Sequence, residues 1–230
     1  MIDLVIARSD LLDEPTFERM RAAVSAERRQ RSDRYHRRRD RYASVVVFSL
    51  LQHLWQGRLS GPMPEIDLGA FGKPRFQGRG DWHFNWSHDS SVCVCALSPM
   101  PIGVDVQSRV PFDDALFERI AAPGELRLRD RYRRANDLSP LWTRKEALVK
   151  RTGRGLSIPL RDIDTFAAQD IATFSCSESD VRISISATGL SEQALLSRLR
   201  IRRVHPSQVS GWTDAVSAPV RLKTVGAEAR

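Results

Sequence analysis

Between Glu14 and Gln56 the chain carries no glycine, and its single proline, Pro15, stands where a helix tolerates one, at the start. A stretch that long without a breaker commits the first quarter of the molecule to helix. Ala43, Val46, Val47, Leu50, Leu51 and Leu54 repeat at i, i+3, i+4 and i+7, which gives this helix a core-facing stripe, and Gly57 stops it. Ahead of it Ile2 to Ala7 reads as a first strand. Residues 57–80 are rich in glycine and proline and read as loop. Trp82–Trp86 and Val92–Leu97 then alternate on either side of Ser87-His88-Asp89-Ser90-Ser91, a hairpin pattern. Ile102–Val106 is a further short strand.

A second cycle repeats this order. Phe112–Arg134 is helical with a break at Pro123-Gly124, and Ser139–Arg151 is another helix. Strands are expected at Ile171–Cys176, Val181–Ser186, Leu199–His205 and Trp212–Ala218. Helices followed by mostly antiparallel strands, twice, predict an α+β fold of two similar halves. The expected division is an N-terminal lobe over 1–100, a C-terminal lobe over 101–218, and a tail without pattern over 219–230.

Hydrophobic residues make up 41% and charged residues 28%, ordinary for a soluble globular chain. No apolar run approaches the ~20 residues of a bilayer span, and the acidic opening lacks the basic region of an export signal. A cytoplasmic protein with no membrane partner is expected. Cys93, Cys95 and Cys176 have neither disulfide-framework nor zinc spacing, and Cys93 and Cys95 read as core thiols of a reducing compartment. The net charge of +8 is concentrated: residues 28–41 hold eight arginines against two aspartates, a local +6. A localised anionic partner follows: nucleotide phosphates, an acidic protein, or nucleic acid tracked along this segment.

Three segments carry chemistry. Phe84-Asn85-Trp86-Ser87-His88 places hydrogen-bonding side chains at a strand end, where turn chemistry alone could also employ them. Ile102-Gly103-Val104-Asp105-Val106-Gln107 puts Asp105 and Gln107 on one strand face, with Gly103 there leaving room for a ligand. In Trp142-Thr143-Arg144-Lys145-Glu146-Ala147-Leu148-Val149-Lys150, residues 142, 146 and 150 share a helix face, either as a surface pair or as a metal carboxylate followed by a phosphate-binding cation. Only four of the 36 basic residues are lysine, and Lys73, Lys145 and Lys150 fall in or near these segments. A compact, flexible cation is wanted there.

In this order the segments resemble the Sfp-type 4'-phosphopantetheinyl transferases. Phe84–His88 resembles the FNxSH stretch of that family, Gly103–Val106 its G(I/V)D(I/V)E stretch, and Trp142–Lys150 its WxxKEAxxK stretch, followed by Gly153-Arg154-Gly155-Leu156. Gly72-Lys73-Pro74 matches as well, and the likeness spans roughly residues 25–160. The resemblance implies two lobes with coenzyme A between them, and transfer of its phosphopantetheine arm to a serine of an apo carrier protein with an acidic face. It implies a monomer that uses Mg2+, held by Asp105 and Glu146. Glu146, Lys150 and Asp105 would be catalytic. Arg28, Arg31, Ser87, His88 and Lys150 would hold phosphates, and Phe71, Gly72, Lys73 and Pro74 would line the adenine. Glu125 falls near a further acidic family position, as a partner of metal-bound water. Gln107 departs from the family glutamate and would be a third, uncharged metal ligand. A nucleic-acid-binding protein and a non-catalytic carrier-binding homologue are the alternatives.

Overall fold

The computed structural model describes residues 1–176, 180–207, 211–214 and 223–224. Strand β1 (Ile2–Arg8) is followed by helices α1 (Glu14–Ala23), α2 (Ala26–Asp33) and α3 (Arg38–Arg58). Next come β2 (Ile66–Leu68), β3 (Pro74–Phe76), β4 (His83–Asp89), β5 (Val92–Ser98) and β6 (Ile102–Ser108). The second half holds α4 (Asp114–Ile120), α5 (Arg129–Ala135), α6 (Ser139–Thr152), β7 (Ile171–Cys176), β8 (Val181–Ala187), α7 (Glu192–Arg198), β9 (Leu199–Ser207), β10 (Gly211–Asp214) and β11 (Lys223–Thr224). The fold is α+β, as the segment order predicts.

The glycine-free segment is three helices rather than one. Val24 and Ser25 leave the helical region, and the Ser25 hydroxyl accepts from the Arg28 N–H at 3.2 Å, capping a new helix. The Ser32 hydroxyl then donates to the Arg41 carbonyl at 3.0 Å and folds α2 back onto α3. Within the expected loop, Ile66–Leu68 and Pro74–Phe76 pair as a small antiparallel ribbon. Of the strand expected over 212–218, residues 211–214 form β10 and 215–218 lie outside the described residues. Of the expected tail, Lys223–Thr224 pairs with β7, and the rest of 219–230 also lies outside them.

Two sheets organise the core. The first has the order β10-β9-β1-β5-β4 and the second β11-β7-β8-β6. This departs from the division expected near residue 100: β9 and β10, late in sequence, belong to the first sheet, because Ile2–Ile6 pairs in parallel with Leu199–Arg203. Central position explains why β1 lacks clear alternation. Val5 and Ala7 face α3, whereas Ile2, Leu4 and Ile6 face the second sheet, so both faces are buried. β5 divides likewise, Cys93, Cys95 and Leu97 toward α3 and Val92, Val94 and Ala96 toward the inter-sheet core. The layers therefore run α3, first sheet, second sheet, α6.

β6 is the strand that shapes the site. Ile102, Val104 and Val106 sit in the inter-sheet core, leaving Gly103, Asp105 and Gln107 on the face toward α6. A Cβ on Gly103 would stand 2.0 Å from the Ala147 carbonyl oxygen and 2.4 Å from the Arg151 nitrogen. The space expected for a ligand is thus filled by helix backbone. Glycine here lets α6 lie directly on β6 and brings the helix face of Glu146 and Lys150 beside Asp105.

Candidate active site

β4 and β6 are edge strands of different sheets, and side chains join them where no ladder does. Asn85 Oδ1 accepts from the Val104 N–H at 2.9 Å. The Ser87 hydroxyl donates to Asp105 Oδ1 at 2.7 Å. Asp89 Oδ2 accepts from the Ser108 N–H at 2.5 Å and from Gln107 Nε2 at 3.2 Å. Asn85, Ser87 and Asp89 alternate along one face of β4, and the constant offset of 18–19 residues means that the two strands run alongside in the same direction. Asn85 and Ser87 therefore do more than satisfy a turn; they stitch the sheets together at the site.

Lys150 completes the junction. Its ammonium donates to Ser87 Oγ at 2.9 Å and to Asp105 Oδ1 at 2.6 Å. One helical turn earlier, Glu146 is half-buried and has no hydrogen-bond or ion-pair partner among the described residues. Desolvation raises its pKa, the Asp105 charge adds to the rise, and Lys150 opposes it. A carboxylate that is partly desolvated, unpaired and beside a second carboxylate is suited to a cation or to taking a proton. The donors available to a metal are all oxygens: Asp105, Glu146 and the amide of Gln107. Among the described residues no cluster of three or more His, Cys, Asp or Glu side chains is spaced to hold an ion. Two carboxylates with the remaining positions left to phosphate and water suit Mg2+.

Two cavities of about 250 Å³ each open from this junction, and both are lined by Trp86 and Lys150. The first is bounded by Phe71, Gly72, Lys73, Pro74 and Glu146, with the Phe71 ring 62% exposed at its rim. The Lys73 ammonium, however, leaves the cavity and donates to the Ile102 and Arg151 carbonyls at 3.0 and 2.7 Å. Burial lowers its pKa to about 8. Gly153, in a left-handed conformation at the end of α6, gives its stem room; a Cβ there would meet Lys73 Cδ at 3.0 Å. Lys73 thus ties the 71–74 loop to the second sheet, and its backbone and neighbours line the cavity.

The second cavity is cationic, lined by Arg28, Arg31, Tyr35, Ser44, His88 and Lys150. The Arg28 guanidinium lies 5.0 Å from the centroids of both Phe48 and Trp86, and burial lowers its pKa to about 10, so it remains charged at neutral pH. Neither Arg28 nor Arg31 has an ion pair among the described residues. Desolvation, then the Lys150 charge, holds the His88 imidazole below its ordinary pKa. Ser44 Oγ is buried without a hydrogen-bond partner. Fixed cations and an unsatisfied hydroxyl facing one cavity fit an anion. The other arginines of the basic segment are partly spent elsewhere, Arg29 on the Ala22 and Val24 carbonyls and Arg38 on Glu14.

The remaining sequence candidate separates from the site. Glu125 is fully buried and pairs with Lys145 at 2.6 Å, also fully buried, while accepting from the Ala122 and Thr165 N–H groups and the Thr165 hydroxyl. All of its acceptor capacity is used, so it is no partner for metal-bound water. The lysine preference has a structural cause at two of its three positions: Lys73 and Lys145 each thread a slender stem to buried carbonyls, Lys145 to those of Leu160 and Ile163. Sequence reasoning missed Ser44, Trp86 as a wall of both cavities, and Asp89. Trp86 lay inside a recognised segment, whereas Ser44 carried no local signal.

The family model described as the 4'-phosphopantetheinyl transferase superfamily matches residues 101–194, from β6 through α6 to α7. A 4'-phosphopantetheinyl transferase of Bacillus subtilis is 31% identical over 157 residues, covering 66% of this chain and 69% of its own length. The chain belongs to the Sfp-type branch of that superfamily. The 4'-phosphopantetheinyl transferase Sfp of Bacillus subtilis (strain 168) is 28% identical, over 69% of this chain and 73% of its own. The 4'-phosphopantetheinyl transferase AcpT of Salmonella typhimurium is 29% identical over 125 residues, 52% of this chain and 65% of its own. The family-model match begins at the strand carrying Asp105 and contains the helix carrying Glu146 and Lys150. No helix among the described residues is long and apolar enough to cross a membrane.

Proposed function

We propose that the chain transfers the 4'-phosphopantetheine arm of coenzyme A to a serine hydroxyl of an apo carrier protein, releasing 3',5'-ADP. The observation that carries this reading is the junction of Ser87, Asp105, Glu146 and Lys150, set between a cationic cavity and one walled by Phe71, Gly72 and Pro74. A nucleotide with a phosphate on its ribose and a pyrophosphate needs that combination. Arg28, Arg31 and His88, with Ser44, hold the ribose phosphate. Phe71, Gly72 and Pro74 flank the adenine, with Lys73 holding their loop from behind. Lys150 and Ser87 face the pyrophosphate.

In the reaction, the carrier serine oxygen forms a bond to the phosphorus bearing pantetheine as the bond to the ADP oxygen breaks. Glu146 takes the serine proton, a role supported by its raised pKa and lack of partners. Lys150 offsets charge on the departing 3',5'-ADP, which is stable enough to leave without a general acid. Asp105 and Glu146, with Gln107, would hold Mg2+, which supplies charge neutralisation at the pyrophosphate. Exposed Arg34 and Arg37, outside the cavity and without acidic partners among the described residues, suit an acidic carrier face. We place the enzyme in the cytosol, a reading supported by the free buried thiols of Cys93 and Cys95, and take it to act as a monomer. Incubation with coenzyme A, Mg2+ and a panel of apo carriers tests the whole reading. A phosphopantetheine mass gain on at least one carrier is expected; a complete absence of transfer together with no coenzyme A binding would overturn it.

A further inference from the structure

Asp89 is the one member of the β4 stitch that belongs to none of the three motif segments. Its Oδ2 accepts from the Ser108 N–H at 2.5 Å and from Gln107 Nε2 at 3.2 Å. A carboxylate can only accept, so the side of the Gln107 amide facing Asp89 must be its NH2. The amide is planar, which turns Oε1 away from Asp89, and that oxygen has no partner among the described residues. Gln107 and Asp105 share a face of β6, and Glu146 approaches that face from α6. A neutral amide is ambiguous as a cation ligand, because its two ends have opposite polarity and nearly equal shape. Something has to choose between them.

We propose that Asp89 is a positioning residue that fixes Gln107 with its carbonyl oxygen toward the cation held by Asp105 and Glu146. The amide then serves as the third oxygen donor, and the negative charge missing at position 107 is kept on its neighbour. This rests on the proposed use of Mg2+ at the site. Both bonds fall on one oxygen, Asp89 Oδ2, so an asparagine there would keep them with its own carbonyl, its NH2 taking the place of Oδ1. Asp89→Asn is therefore the conservative variant, and Asp89→Ala the one that frees the glutamine amide to turn. Conversely, Gln107→Glu sets two carboxylates about 3 Å apart, and adding Asp89→Ala relieves that clash.

The test is calorimetric Mg2+ titration of the full-length protein with coenzyme A present, checked by Mn2+ paramagnetic resonance, for wild type, Asp89→Asn, Asp89→Ala, Gln107→Glu and the variant combining Asp89→Ala with Gln107→Glu. Asp89→Ala is expected to weaken Mg2+ binding roughly tenfold, the lower end of what partners of metal ligands contribute, and Asp89→Asn, which keeps the orienting bond, by less. In the Gln107→Glu background Asp89→Ala is expected to tighten it, so the sign of its effect reverses. Thermal melts of each variant verify that the fold survives loss of the Ser108 contact. If Asp89→Ala leaves Mg2+ affinity unchanged, or weakens it equally in both backgrounds, Asp89 only caps β6 and the proposal fails. A wild-type chain that binds coenzyme A and turns it over without binding Mg2+ overturns the inference while sparing the transferase reading; one that does neither overturns both.

Discussion

Gly103→Ala tests whether the site depends on how closely α6 approaches β6. The added Cβ would lie 2.0 Å from the Ala147 carbonyl oxygen and 2.4 Å from the Arg151 nitrogen, both backbone atoms that cannot rotate aside. Ordinary contact begins near 3.4 Å, so the shortfall at the carbonyl, 3.4 less 2.0, is about 1.4 Å. The helix must retreat by that order, and Lys150, now 2.6 Å from Asp105, retreats with it. Overpacking of this kind costs about 3 kcal/mol, which for a chain of this size lowers Tm by roughly 6–12 °C. A displacement near 1 Å at reacting groups is worth about a hundredfold in rate. Thermal melting and the initial rate of 3',5'-ADP release check both figures. Gly57→Ala is the control: nothing lies within 4 Å of its Cβ position, and alanine is the better helix former, so unchanged or slightly higher stability is expected. A Gly103→Ala enzyme with wild-type Tm and rate would refute the reasoning.

Asp105→Ala and Glu146→Ala are expected to lower transfer by at least ~10²–10³-fold with a native circular dichroism spectrum, and near-normal turnover by either would move the site elsewhere. Arg28→Ala removes the cation held between Phe48 and Trp86, and is expected to raise KM for coenzyme A roughly 10–100-fold while changing KM for dephospho-coenzyme A little. Equal effects on the two substrates would assign Arg28 to carrier docking instead. Lys73 gives a pH signature. Its folded pKa, about 8, lies below the ordinary 10.5, so from pH 8 to 10.5 the unfolded chain binds more protons and stability rises with pH. Relative to Lys73→Met, wild type is therefore expected to gain stability in denaturant titrations between pH 8 and 10; a flat or falling difference counts against the buried ammonium.

Local pattern carries the elements whose neighbours are close in sequence. The β4–β5 hairpin is legible because its two alternating runs flank a short polar turn, and α6 because Pro140 and Gly153 bracket a periodic segment. The breaks in the Glu14–Gln56 region are harder, since Ser25 as a cap looks like any other serine until the chain turns there. α7 has a signal that the sequence analysis does not use: Ser191 accepts from the Ala194 N–H, as an N-cap does. The placement of β9 is not legible, because parallel pairing with β1 is decided by burial of both faces of β1 and not by any nearby residue. At the site, Ser87, Asp105 and Lys150 bond to one another with Glu146 one helical turn away, and Arg28 and Arg31 share a cavity with Ser87 and Lys150. Glu125, Lys73 and Gly103 depart for one shared reason. Sequence shows that a charge or a gap is wanted at a position, but only packing shows whether it faces the cavity or the protein's own backbone.

The pairing of β1 with β9 also bears on how the molecule is made. Asp3 bonds to Arg200 across a separation of 197 residues, and until β9 has been synthesised one edge of β1 stays bare. Chain order and folding order are therefore at odds: β1 leaves the ribosome long before β9, yet its pairing is completed only after β9 has followed. Loop closure over such a span costs only modestly more entropy than a shorter one, but the contact cannot form until the whole span exists. During that wait an apolar strand with an open edge is a template for association with other nascent chains. Early engagement by a chaperone, or a circular permutation that brings β9 and β1 together in sequence, removes the interval in which this chain is most prone to aggregate.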